Sequence, residues 1–262
     1  MNPIQLTEIP DKIKEFVKHI NSIRFPQQGC TSDVGILETE KGRYALKRAK
    51  NPLYRSWLKR ETFVVSQLTT NTTLSIPKVV SSFENEEQTW ALFEFVEGET
   101  LATALSNEKN EQKRHELIYN YGKILSQIHS TSCPNKLVSE VPWLEKMLMD
   151  AEVNLKNHEV DGTEELLTQL KTNKPKEFKQ TLIHGDFTID NVMVKDGLIT
   201  GVIDWGGSAL GDPRYDVSLA IRPETFVFNN ETDKQVFFDG YREQIIDQNE
   251  YYYFADGLYE FF

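Results

Sequence analysis

The sequence predicts an α+β chain in two parts: a small β-rich part over residues 1–95, and a larger, mainly helical part over residues 96–262 that carries a β-hairpin insertion. Three observations lead there. β-rich apolar runs cluster before residue 95, and a 3.6-residue periodicity dominates after about residue 100. Within the second part, Asp196-Gly197 separates two apolar runs in "NVMVKDGLITGVID", a dipeptide suited to two-residue hairpin turns.

Taken in order, Ile13, Phe16, Val17 and Ile20 mark an amphipathic N-terminal helix. "QQGCTSDVGILET" and "GRYALKRA" read as two strands joined near "EKG", the first opening with a glycine and small hydroxyl residues. "LYRSWLKRETFVVSQL" is helical, and "WALFEFVEGETL" begins as an apolar strand that runs out at Glu97-Gly98, the expected linker. Leu117, Tyr121, Leu125 and Ile128 share one face of a later helix, and the β insertion covers residues 181–205.

With 262 residues the chain can bury one large core or two. The N-terminus lacks a basic region followed by an apolar stretch, and no run approaches the roughly 18 apolar residues of a membrane span. The expectation is a soluble cytoplasmic protein without a membrane partner. Cys30 and Cys133 are far apart and lack CxxC spacing, so both are expected as reduced thiols.

Net charge is −11, unevenly spread: residues 1–93 carry 13 Lys+Arg against 10 Asp+Glu, and residues 94–262 carry 16 against 30. That balance disfavours nucleic acid as a partner. It suits a cationic partner for the second part, although solubility alone also favours an acidic surface. Internal repeats, GxxxxGK[ST], GxGxxG, HExxH and GxSxG are all missing from the sequence.

The chemistry-bearing residues gather around the hairpin. With Asp196-Gly197 as the turn, Asn191 lies opposite Val202 and Asp204 extends two residues further, an offset of roughly 7 Å. Two hard oxygen ligands at one end of a hairpin suit Mg²⁺. Asp186, in the loop leading in, could accept a hydroxyl proton or orient that hydroxyl. Taken singly, each also fits a turn cap. Trp57, Glu61, Val64 and Leu68 recur at helical spacing, which puts Glu61 on an apolar face in need of a partner. Lys47, ending "YALK", is the candidate. Leu58 and Val65 allow the same face to be drawn with Glu61 at its edge.

"HGDFTIDN" followed by "VIDWGGSALGDPRYDVSLA" resembles the signature of the aminoglycoside phosphotransferase and choline kinase superfamily, relatives of the protein kinases, whose catalytic loop has the same D-x-x-x-x-N spacing. "LKTNKPKEFKQTLIHGD", "MVKDGLITGVID" and the chain end "YYYFADGLYEFF" are most similar to the aminoglycoside 3′-phosphotransferases. The resemblance implies a two-lobed, protein-kinase-like fold with a nucleotide-binding lobe over residues 1–95 and a catalytic lobe over 96–262.

It further implies Asp186 as the catalytic aspartate, Asn191 and Asp204 as Mg²⁺ ligands, and Lys47, paired with Glu61, on the α/β-phosphates of ATP, or GTP. Thr31 or Ser32 would cover the phosphates from a loop one residue short. The Glu94 carbonyl and Val96 amide would hold the adenine, and Asp212 and Asp216 would brace the catalytic loop. Asp190, Glu224, Glu260 and the Phe262 carboxylate are candidate contacts to a cationic acceptor.

Three departures stand out. Gly206-Gly207 replaces a basic residue, Tyr259-Glu260 replaces paired acids, and Ala45, beside Tyr44, takes the place of an adenine-stacking aromatic. The expected protein is a small-molecule kinase, monomeric or a weak homodimer, acting on an aminoglycoside. The alternatives are a metabolic alcohol (a sugar or a choline-like amino alcohol), a macrolide, or nucleotide binding without catalysis. His184 reads as loop-bracing, His129 as an ordinary helix-end histidine, Trp205 as core, and Tyr251, Tyr252, Tyr253 and Phe254 as packing of a C-terminal helix.

Overall fold

Alternating polar and apolar residues in the first part form an antiparallel sheet. The computed structural model describes residues 3–26 and 31–262, so Gly29 and Cys30, which open the strand expected over "QQGCTSDVGILET", lie outside the described residues. The chain forms two compact units, Met1–Glu97 with Gly201–Gly206, and Gly98–Thr200 with Gly207–Phe262.

In the first unit, strands β1 (Ile20–Arg24), β2 (Asp33–Thr39), β3 (Gly42–Ala49), β4 (Val79–Glu84) and β5 (Thr89–Glu94) lie in the order β1-β2-β3-β5-β4. Helix α1 (Asp11–Val17) contributes Ile13 and Val17 to a buried cluster with Leu37, Leu46, Trp90 and Leu92. Ile20 does not belong to this helix. Lys18 adopts φ 63 immediately after Val17, and the turn delivers Ile20 to β1.

Helix α2 (Pro52–Asn71) starts on Asn51, whose side chain accepts from Leu53 N at 2.9 Å, with a proline in the first turn. It buries Leu58, Glu61, Val64, Val65 and Leu68, whereas Trp57 is 37% exposed. The apolar face is thus drawn through Leu58 and Val65, and Glu61 is still buried within it.

Period-2 alternation on β3 places consecutive cations on opposite faces. Lys47 meets Glu61 of α2. Arg48 is buried, donates twice to Asp33 at 2.9 and 2.7 Å and once to Glu8 at 2.9 Å, and lies over the Trp90 ring. Tyr44, two residues before Leu46, faces the Arg48 side and packs edge-on against Phe16 at 5.9 Å. Tyr44 therefore cannot stand in for the aromatic that Ala45 replaces.

The second unit holds α3 (Leu101–Asn107), α4 (Glu111–Ser130), α5 (Trp143–Asn157), α6 (Glu164–Thr172), α7 (Pro213–Ala220), α8 (Glu231–Tyr241) and α9 (Gln248–Phe254). Two small sheets are also present. One pairs β7 (Thr181–Ile183) with β10 (Ala209–Gly211), and the other has β6 (Glu99–Thr100), β8 (Val192–Lys195) and β9 (Leu198–Val202) in the order β6-β8-β9. The last two residues of β9, Gly201 and Val202, are counted with the first unit. β10 lies past the expected β insertion, its three residues being too few to show a period. Asp196 and Gly197, both at positive φ (52 and 77), make the hairpin turn between β8 and β9.

Helices α4 and α8 approach so closely that a Cβ at Gly122 would stand 2.1 Å from the Phe237 carbonyl oxygen, and one at Gly240 2.0 Å from that of Tyr119. Glycine is required at both crossings. Arg114 of α4 clamps Asp233 of α8 through two bonds of 2.6 and 2.8 Å. Tyr253 and Phe254 of α9 are buried, as expected of packing residues, but Tyr252 is 54% exposed. Among the described residues no helix is long and apolar enough to cross a membrane.

Candidate active site

In the first unit, Lys47, Glu61 and Asp204 form a charged triangle. Lys47 Nζ donates to both Glu61 oxygens at 2.7 and 3.0 Å and also to Asp204 Oδ1. The Lys47 and Glu61 side chains are mostly enclosed, at 14% and 11% exposure, whereas that of Asp204 is 44% exposed. Burial pushes the Lys47 ammonium down, but the Asp204 and Glu61 carboxylates outweigh it and hold it well above its ordinary value. Burial, joined by the Asp204 charge, raises Glu61 above its ordinary value against the pull of Lys47. Lys47 is therefore a permanent cation. Asp204 sits at φ 63, a left-handed conformation uncommon for a residue with a side chain.

In the second unit, "HGDFTIDN" is a loop held from several sides. Asp216 of α7 is fully buried and accepts from His184 N at 2.6 Å, Gly185 N at 2.8 Å and His129 Nε2 at 3.2 Å. Gly185 adopts φ 86, and a Cβ there would stand 2.4 Å from the Gly207 carbonyl oxygen. Tyr121 stacks on Phe187 at 4.8 Å and donates its hydroxyl to that residue's carbonyl. His184 Nδ1 accepts from Asp186 N at 3.2 Å, and Ser208 donates to the His184 carbonyl. His184 is thus a bracing residue.

Asn191 Nδ2 donates to Asp186 O at 2.8 Å and Oδ2 at 2.9 Å, so the oxygen end of the Asn191 amide is turned away from Asp186. A half-exposed carboxylate at Asp204 and an amide oxygen at Asn191 are hard donors of the kind Mg²⁺ takes. Each residue by itself has the chemistry of a Mg²⁺ ligand, Asp204 in the first unit and Asn191 in the second.

A cavity of about 320 Å³ in the second unit is lined by Glu159, Val160, Asp161, Arg222, Tyr259, Glu260 and Phe262. Two of the candidate acceptor contacts, Glu260 and Phe262, meet there; Asp190 and Glu224 are exposed and are not among its lining residues. Thr31 and Ser32 form a bend just before β2, the first exposed and the second half-buried. Glu94 ends β5, its amide donating to Lys78 O, and Val96 packs toward Gly201. Asp212 caps α7 and clamps Arg214, which also reaches Glu250 and the Lys176 carbonyl.

Sequence reasoning missed three contacts. His129 is no ordinary helix-end residue, because it bridges Asp216 and the Tyr241 hydroxyl inside the core. Its i+4 and i+8 spacing from Leu125 and Tyr121 was the available signal. The Tyr259 hydroxyl donates to Asp186 Oδ1 at 3.2 Å. Arg222 lies 4.9 Å over the Tyr259 ring and 3.9 Å from Glu260, placing a cation in an otherwise acidic cavity. The last two depend on how the chain end returns, for which no local pattern exists.

Residues 22–253 match the phosphotransferase enzyme family, and the chain belongs to that family. It is similar to an aminoglycoside 3′-phosphotransferase of Enterococcus faecalis and to one of Staphylococcus aureus. Each is 30% identical over 174 residues, or 63% of this chain and 66% of the relative, just under two thirds of the relative's length. The crystal structure of an aminoglycoside-3′-phosphotransferase of type VIII superposes with a TM-score of 0.74 at 20% identity, covering 96% of this chain and 98% of the other. The fold is therefore the one expected, with a β-sheet first part and a helical second part.

Proposed function

We propose that this protein transfers the γ-phosphoryl group of ATP, in the presence of Mg²⁺, to a hydroxyl of a small molecule, with an aminoglycoside as the leading acceptor. The observation that carries this reading is the Asp186 loop, in which a carboxylate is oriented by Asn191 and braced from behind by Asp216. Asp186 would align the acceptor hydroxyl and take its proton as the bond to phosphorus forms.

Lys47, kept charged by Glu61 and Asp204, would hold the α/β-phosphates, and Thr31 or Ser32 would cover them. The Glu94 carbonyl and Val96 amide would hold the adenine. Asn191 and Asp204 would carry Mg²⁺, which when bound supplies charge neutralisation at the transferring phosphoryl group. Everything else in this account is positioning. On this reading residues 1–95 serve the nucleotide, residues 96–262 serve the acceptor, and the acids Glu159, Asp161 and Glu260 attract its ammonium groups.

A second reading takes a metabolic alcohol as acceptor. It is favoured by Arg222 in the cavity and by Tyr259 standing where the 3′-phosphotransferases carry an acid. An ADP-release screen across aminoglycosides, macrolides, sugars and amino alcohols separates the two. Activity confined to a metabolite removes the aminoglycoside reading. Undiminished transfer in Asp186→Ala on every accepted compound removes both.

A further inference from the structure

We propose that Tyr259 is a displaceable plug on Asp186 Oδ1, keeping water from that oxygen until an acceptor hydroxyl takes its place. This rests on the reading of Asp186 as the residue that receives the acceptor's proton. The carboxylate is held at both ends, Oδ2 by Asn191 Nδ2 at 2.9 Å and Oδ1 by the Tyr259 hydroxyl at 3.2 Å. Tyr259 also lines the cavity of about 320 Å³, and Asp186 does not, so Tyr259 touches both the cavity and the aspartate.

The plug is mounted on a fixed base. Asn154 Nδ2 donates to the Phe261 carbonyl at 2.9 Å, and Gly162 N to the Glu260 carbonyl at 2.9 Å, which tie down the Leu258–Phe261 turn. The ring itself is held more loosely, under the Arg222 guanidinium at 4.9 Å and tilted against Tyr215 at 6.4 Å. Rotation of the side chain can therefore release Asp186 without unfolding the tail.

The bond being released is also easy to exchange. At 3.2 Å it is longer than the usual 2.7–2.8 Å of a hydroxyl donor, and an acceptor alcohol offers the same O–H group in return. Burial and the Asp186 charge hold the phenol well above its ordinary value, so it stays a protonated donor.

The need for a plug follows from the chemistry. Water and an alcohol are both O–H acceptors, and an aspartate bared to water would direct the γ-phosphoryl group to water, releasing ADP and inorganic phosphate. Tyr259 fills the seat that such a water would take.

The test compares ADP release with and without the best acceptor of the screen, in the parent and in Tyr259→Phe and Arg222→Gln. Tyr259→Phe is expected to raise acceptor-independent turnover about tenfold, the worth of one such hydrogen bond. It should also lower the acceptor KM while leaving the acceptor-dependent kcat no higher. Arg222→Gln loosens the ring but also removes a cation from the cavity, so only its acceptor-independent turnover is compared, and this should rise by less. An unchanged or lower ratio of acceptor-independent to acceptor-dependent turnover in Tyr259→Phe, with no rise in acceptor-independent turnover in Arg222→Gln, overturns the plug. Asp186→Ala in the parent and in the Tyr259→Phe background separates the two claims: if it leaves ADP release intact, the assignment of Asp186 fails and not the plug alone.

Discussion

Replacing Asp216 with asparagine tests how far the Asp186 loop depends on a single buried carboxylate. Asp216 has no solvent exposure and receives three donors, from the His184 and Gly185 amides and from His129 Nε2. Hydrogen bonds to a charged acceptor are worth about 1.5–3 kcal/mol each. Asparagine is nearly isosteric but keeps only one acceptor oxygen, so its amide nitrogen must face either the Gly185 N–H or the His184 N–H together with the imidazole.

Removing the charge relieves some desolvation, which offsets part of the loss. The remainder, about 3 kcal/mol, corresponds to a fall in Tm of roughly 10 °C for a chain of this size. Because either orientation loses one of these two amides, both within two residues of Asp186, turnover should fall about 10–100-fold on the proposed role of Asp186, as for a reacting group misplaced by a fraction of an ångström. Thermal unfolding followed by circular dichroism, together with ADP-release kinetics on the same preparation, reads both quantities. A Tm within about 2 °C of the parent and full turnover would refute the idea that Asp216 holds this loop.

Two other expectations are narrower. Gly240→Ala places a Cβ 2.0 Å from the Tyr119 carbonyl oxygen, a backbone atom that cannot swing aside, so overpacking of about 2–3 kcal/mol should appear in urea unfolding; Gly206→Ala, whose Cβ meets nothing nearer than 3.6 Å, is the control. Burial pushes the Cys133 thiol from 9.0 up to about 11, so in a Cys30→Ser background iodoacetamide labelling should have a midpoint near pH 11 and run about 100-fold slower at pH 8 than an ordinary thiol. Since the folded value is the raised one, the stability tied to this group is present below about pH 9 and lost as pH climbs toward 11.

Much of this arrangement could be read from residue order, because the chemistry is packed into short, local patterns. The Lys47–Glu61 contact follows from a carboxylate on an apolar helix face beside an apolar strand ending in lysine. The hairpin follows from Asp196-Gly197. What escaped was either short, polar or distant. β1 and β4 are the two edge strands of their sheet and carry mixed polar sequence, "INSIR" and "VVSSFE", so their periodicity is weak. The same holds for Arg48, whose partners Asp33 and Glu8 lie 15 and 40 residues away, and for Tyr259, which reaches Asp186 across 73 residues.

The neighbouring positions of Lys47 and Arg48 carry a consequence for how this gene can change. One residue gained or lost in β3 ahead of Lys47 would swap the two cations between faces. A guanidinium would then lie on the face of Glu61 and an ammonium on the face of Asp33, so the cation beside Glu61 and the keystone of the opposite face would be lost in one event. Drift along this strand is thereby confined to substitution, and insertions and deletions are diverted to its ends, toward the Glu40-Lys41 turn and the segment after Ala49.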